Sequence, residues 1–263
     1  MATERLSEIP PTVARMIEIR SGPILESSPV TGGLNSEIAA HVRTETQTLF
    51  VKGLRTSNPR AWTQTREAAI NPFVHGLSPR MVWQADDDAW HLLAFEYTEG
   101  RHANWKPGSD DLEPVLDVMQ ELAGRPLPPL QLRRFSDRMA GCAAPDELHH
   151  FDGSALLRTE WNPENVLIAD GGVRLVDWGW VSLGAAWIDP ALWVLWLIAA
   201  GHDPEQAEYA AAGHQAWRQA SYEALAAFSR AQLRLWDSIA GQSSTAWAGP
   251  LQQAATSWRD YRN

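Results

Sequence analysis

The 263-residue chain reads as an α+β protein of two lobes. Three observations carry that reading. Strand-like patterns fill the first third, helical periods dominate afterwards, and a patternless stretch rich in Gly, Pro and polar residues, Glu99 to Ser109, separates them. An antiparallel sheet with one helix is therefore expected over residues 1–99, and a mainly helical lobe over residues 100–263.

The elements follow in order. Residues 1–21 predict a helix leaning on the sheet. His41 to Leu54 is two β-like runs around a polar turn at Thr44 to Gln47. Trp62 to Val74 predicts a helix stopped by the restriction before Pro72. Met81 to Tyr97 predicts a second hairpin turning at Asp86 to Asp88. Beyond the break, Leu112 to Ala123 is amphipathic, and Pro204 to Arg262 is alanine-rich with a helical period. Ala191 to Ala200 is the most apolar run; at ten residues it predicts a buried core helix, since a bilayer span needs roughly 20. One strand-rich island interrupts the helices. Asn165 to Trp178 predicts a hairpin turning at Asp170-Gly171-Gly172, where glycine supplies the positive φ that such turns need.

Composition narrows the function classes. Lys and Arg number 22 against 32 Asp and Glu, a net charge of −10. So acidic a chain is a poor ligand for phosphate backbones, and neither nucleic acid nor membrane is expected as a partner. The single cysteine, Cys142, excludes an intramolecular disulfide and any multi-cysteine metal site. With no signal-peptide pattern in the first 20 residues, the expected compartment is the cytoplasm. Neither Gly-x-Ser-x-Gly nor Gly-x-Gly-x-x-Gly occurs. His149-His150 reads as a solvated pair, and His202 as a cap on the apolar helix.

A few residues stand out chemically. Only two lysines occur, and Lys52 lies inside the apolar strand "LFVKGL". There it either reaches water from an edge strand or meets an anion such as a phosphate. Gly32-Gly33 would let backbone N–H groups approach phosphate. Glu67, on the predicted helix, is placed to pair with Lys52. The strongest segment is Leu156 to Trp180. Asn165 and Asp177 stand at the two open ends of the predicted hairpin, an amide and a carboxylate of the hard-oxygen type that Mg²⁺ takes. Glu160, just before it, is placed to take a proton from a substrate hydroxyl.

This segment resembles the catalytic and metal-binding loops of the aminoglycoside phosphotransferase family, within the protein-kinase-like superfamily. The family pattern is His-x-Asp, four residues, Asn, a short hairpin, then Asp-x-Gly. Here it reads Arg158-Thr159-Glu160, Trp161 to Glu164, Asn165, then Asp177-Trp178-Gly179, with Asp189 matching a helix-starting Asp that braces the catalytic loop. The resemblance covers roughly residues 22 to 200 and implies a two-lobed protein-kinase-like fold. It also implies Mg²⁺ and a nucleotide donor, ATP or GTP. Lys52 would hold the α- and β-phosphates with Glu67 orienting it, and a glycine loop at Thr31 to Ser36, including Gly32 and Gly33, would cover them. Backbone groups near Glu96 and Tyr97 would take the base edge. Asn165 and Asp177 would bind the metal. The acceptor would be a hydroxyl of a small molecule, an aminoglycoside or another natural product, with a peptide hydroxyl fitting as well.

Two positions depart from the pattern. Arg158 replaces the histidine and Glu160 replaces the catalytic aspartate. Arginine cannot take the neutral role of an imidazole. Glutamate moves the carboxylate by one methylene, about 1.5 Å, where a 1 Å error can cost about 10²-fold in rate. These departures support an alternative: a pseudokinase-like nucleotide-binding or scaffolding protein.

Overall fold

The computed structural model describes residues 8–30, 36–242 and 246–263. In chain order its elements are α1 (Pro11–Ser21), β1 (Ile24–Pro29), β2 (Ile38–Thr44), β3 (Thr48–Arg55), α2 (Ala61–Ile70), β4 (Met81–Asp86), β5 (Trp90–Glu96) and β6 (Arg101–His102). Then come α3 (Leu112–Ala123), β7 (Arg133–Arg134), α4 (Phe135–Met139), β8 (Ala155–Leu157), β9 (Val166–Ala169), β10 (Gly172–Leu175) and β11 (Ser182–Gly184). The helices α5 (Ile188–Ala199), α6 (Pro204–Ala211), α7 (Tyr222–Ala240) and α8 (Ala248–Arg262) complete it. The chain folds as two compact units. The first holds residues up to Arg101 together with Ala169–Gly179; the second holds His102–Ile168 and Trp180–Asn263. Among the described residues, no helix is long and apolar enough to cross a membrane.

The first unit is built on an antiparallel sheet of order β1-β2-β3-β5-β4. Both expected hairpins are present. The second one turns on Asp87, whose Oδ1 accepts from the N–H groups of Ala89 (2.8 Å) and Trp90 (2.6 Å). Each face of this sheet is covered. Helix α1 buries Val13, Met16 and Ile17, one apolar stripe, against Val42, Leu49, Val51 and Leu92. It stops at Gly22, whose φ of 84° supplies the left-handed turn. The opposite face carries Phe50, Leu93 and Phe95, which pack with Ala68 of α2. Burial on both faces explains why β3 is apolar at nearly every position rather than alternating. Helix α2 ends at Ile70, where the restriction before Pro72 stops it, and Asn71-Pro72 starts a 3₁₀ turn.

The second unit is mostly helical, with a small sheet of order β7-β11-β8. The apolar run becomes α5, and the helix begins three residues before the run, because Pro190 is tolerated in a first turn. Helices α6 and α8 pack on α5, and α7 packs on α8. The core between them is aromatic. Phe228 sits 5.4 Å from Trp187, 5.7 Å from Phe151 and 5.9 Å from Trp258, all edge-on, and is stacked with Phe135. His202 does not cap α5 as expected: its Nε2 pairs with the carbonyl of Trp105 at 2.9 Å, and the backbone closes the helix end.

A buried charge ties the last helix down. Glu208 of α6 accepts from the Trp258 indole at 2.6 Å and from the Arg262 guanidinium, both on α8. Both members of the ion pair are about nine-tenths buried. Removing one partner strands the other charge in the interior, which costs about 3–5 kcal/mol. Glu208→Ala should therefore lower the thermal midpoint by roughly 10 °C, measured by circular dichroism.

Candidate active site

Lys52 lies in the middle of a central strand. Its backbone faces Ala39 of β2 on one side and Leu93 of β5 on the other. The water-reaching edge position is therefore not the one it occupies. Its side chain is 7% exposed, and Nζ meets two carboxylates, Glu67 Oε2 at 2.5 Å and Asp177 Oδ1 at 3.1 Å. Burial alone would push the Lys52 pKa down. The carboxylates of Asp177 and Glu67 outweigh it and hold the pKa above the usual lysine range, so the ammonium stays charged. Glu67 is pushed up by burial, while Lys52 and the Trp178 N–H pull it back.

Backbone geometry brings Asp177 to this lysine. Residue 177 follows β10 and adopts φ 63°, a left-handed conformation rare for a side chain with a Cβ. Two neighbours hold the turn. The Trp178 indole donates to the Leu175 carbonyl at 2.9 Å. Gly179 lies against α2: a Cβ there would sit 2.8 Å from Cβ of Thr63. Only glycine permits that approach, so the loop bearing Asp177 and the helix bearing Glu67 are packed as one piece.

In the second unit the Arg158-to-Asn165 loop hangs on one carboxylate. Asp189, in the first turn of α5, accepts from the N–H of Arg158 (2.8 Å), the N–H of Thr159 (2.8 Å) and the indole of Trp161 (3.0 Å). Burial raises the pKa of Asp189, and these three donors with the Arg158 charge oppose the rise. Thr159 is the other non-glycine residue at positive φ among the described residues, 67°, and β-branching makes that conformation costlier still. Its hydroxyl donates to the Trp180 carbonyl and accepts from Arg138, whose Nη1 also reaches that carbonyl and the Ser182 hydroxyl at 2.8–2.9 Å. Arg138 lies far from every motif, so no sequence signal singled it out.

The remaining expected residues are placed as follows. Glu160 is partly buried, directly after Thr159. Asn165 ends a 3₁₀ turn that Asn162 caps, its Oδ1 accepting from the Glu164 N–H, and it immediately precedes β9. Gly32 and Gly33 lie outside the described residues. Glu96 ends β5, its carboxylate paired with Arg80 at 2.5 Å, and Tyr97 stacks edge-on to His41 at 4.7 Å. Their N–H groups donate to the carbonyls of Arg80 (2.9 Å) and Thr48 (3.3 Å). A nucleobase edge at this point would therefore be read by groups other than those two amides.

The structure thus brings Lys52, Glu67 and Asp177 into contact in the first unit, and gathers Arg158, Glu160 and Asn165 on one Asp189-held loop in the second. Two carboxylates against one ammonium leave the first cluster net negative, a setting that suits a divalent cation. Asp177 in the first unit and Asn165 in the second each carry a hard-oxygen donor of the type Mg²⁺ takes beside its waters and substrate phosphates.

Asp189→Ala would leave three buried N–H donors without an acceptor. At about 1–3 kcal/mol for each orphaned group, the loss should reach about 3 kcal/mol or more. Urea unfolding of the variant and the parent measures it.

No protein-family model matches the chain, and no curated protein sequence does. Solved structures do. The chain is similar to choline kinase LicA from Streptococcus pneumoniae (TM-score 0.68, 14% identity, covering 95% of this chain and 98% of that one). It is also similar to a thermostable mutant of aminoglycoside phosphotransferase APH(4)-Ia in a ternary complex with AMP-PNP and hygromycin B (TM-score 0.65, 16% identity, 94% and 99% covered). A putative fructosamine-3-kinase from Haemophilus somnus 129PT follows at TM-score 0.58, 11% identity and 93% and 95% coverage. At such low identities the likeness establishes architecture: the chain has the α+β kinase-like fold, an antiparallel N-terminal sheet followed by a mostly helical C-terminal part.

Proposed function

We propose that the protein is a phosphotransferase that moves the γ-phosphoryl group of ATP or GTP to a hydroxyl of a small molecule. The observation that carries this reading is the Lys52 ammonium, buried in a central strand and bracketed by Glu67 and Asp177. A lysine kept charged in an apolar interior serves an anion, and a nucleotide phosphate is the anion for which a metal-binding carboxylate is also needed. The fold shared with small-molecule kinases supports the same reading.

In this mechanism Lys52 contacts the α- and β-phosphates, and Glu67 keeps its ammonium directed. Asp177 and Asn165 would hold Mg²⁺, which when bound neutralises charge on the phosphate oxygens. Gly32 and Gly33 would cover the phosphates. Backbone and side-chain groups around Glu96 and Tyr97 would take the base. Glu160 accepts the proton of the attacking hydroxyl as that oxygen bonds to phosphorus and the nucleoside diphosphate leaves. The acceptor is a hydroxylated small molecule; LicA, a choline kinase, and APH(4)-Ia, bound to hygromycin B, are the structural neighbours that motivate testing cationic ones first.

The Arg158 and Glu160 replacements support a second reading, a pseudokinase-like protein that binds nucleotide or serves as a scaffold and transfers nothing. One titration and one assay separate the two. Calorimetry should give micromolar binding of ATP or GTP that depends on Mg²⁺, and Asp177→Ala should weaken it by at least tenfold. Product-coupled turnover with hydroxylated cationic acceptors should then fall by about 10²–10⁴ in Glu160→Gln. Binding without turnover selects the second reading. No Mg-dependent binding of either nucleotide rejects the phosphotransferase and leaves the scaffolding form of the second reading.

A further inference from the structure

The arginine that replaces the family's histidine has a definite job in this loop. Arg158 is fully buried, 0% exposed, which is rare for a guanidinium without dedicated partners. Its Cζ lies over the Trp161 ring, 5.4 Å from the ring centre. Its Nη2 donates to the backbone carbonyl of Asn165 at 2.8 Å. Its own N–H is bound by Asp189, and its charge favours the ionised form of that carboxylate.

These contacts make the segment from Arg158 to Asn165 a closed ring. The Asp189 carboxylate anchors its first two residues and Trp161, and the Arg158 side chain returns across seven positions to grip its last residue. Glu160 and Asn165 both ride on that ring. An imidazole is shorter than a guanidinium and, when neutral, has a single N–H to give; arginine carries five donors on a longer stem. We propose that Arg158 is a positioning residue: it fixes the Asn165 backbone relative to Glu160, and so sets where the asparagine amide presents its oxygen to Mg²⁺. This rests on the phosphotransferase reading for the identity of the metal, but the ring itself does not.

The test uses the full chain with Arg158→Met, which keeps bulk and removes every donor, and Arg158→Lys, which keeps a charged donor. Hydrogen exchange read by mass spectrometry, without nucleotide, should rise at least tenfold over residues 158–166 in the Met variant, while α7 and α8 stay unchanged. The Mg²⁺ concentration for half-maximal ATP binding should rise about tenfold, with metal-free ATP affinity unchanged. Arg158→Lys should recover most of both effects. Unchanged loop exchange in Arg158→Met overturns the proposal. So does a Lys variant as impaired as Met with a matching global loss of stability, since that describes filler rather than a specific bond. If Arg158→Met does not fold, the wild-type guanidinium resonances decide. A slowly exchanging Arg158 N–H supports the bond to Asn165, and one exchanging as fast as those of exposed Arg134 overturns it. If wild type binds no nucleotide with Mg²⁺, the functional reading fails by itself, while loop exchange still judges the ring.

Discussion

The structure is organised around a charge that the interior would otherwise reject. An ammonium inside a sheet covered on both faces is unstable unless anions meet it there. Lys52 therefore requires Glu67 from α2 and Asp177 from the segment after β10. Because these carboxylates come from distant parts of the chain, the lysine dictates where α2 sits and where residues 169–179 return to the first unit. Gly179 against Thr63 is the steric counterpart of the same requirement, bringing the Asp177 loop close enough for the ion pair to form.

Asp189 does for the second unit what Lys52 does for the first. A buried carboxylate at the start of α5 is satisfied by donors of one short loop, and the loop is shaped by satisfying it. Thr159 and Asp177, the two non-glycine residues at positive φ among the described residues, mark where these demands override backbone preference. Such conformations cost of order 1–3 kcal/mol and persist only where surrounding contacts over-determine them. Around Thr159 those contacts are Asp189 on the amide and Arg138 and Trp180 on the hydroxyl. Strain held this way fixes the backbone at both positions.

Much of this was legible in the sequence for local reasons. Hairpins announce themselves through alternation and turn residues, and the helices through their period. The order of Lys52, Glu67, Asn165 and Asp177 was readable because their spacing reflects elements laid down one after another. Other features were not local. Whether Lys52 lay on an edge or in the centre depended on β5 pairing on its second side, across about forty residues. His202 looked like a helix cap because its neighbours in sequence were the helix, whereas its partner in space is Trp105.

The sequence by itself determined the hairpins, the longer helices, their order and the residue types offered for chemistry, since periodicity, turn residues and residue type are properties of short windows. Tertiary structure alone decided several of the polar contacts that shape the two loops. Arg138 reaches Thr159 and Trp180, Arg158 closes on Asn165, and the Glu96 and Tyr97 amides are taken up by the sheet. Each of these is a hydrogen bond set by where elements pack. Packing minimises the burial of unsatisfied polar groups over the whole interior, a constraint that no short window of residues contains.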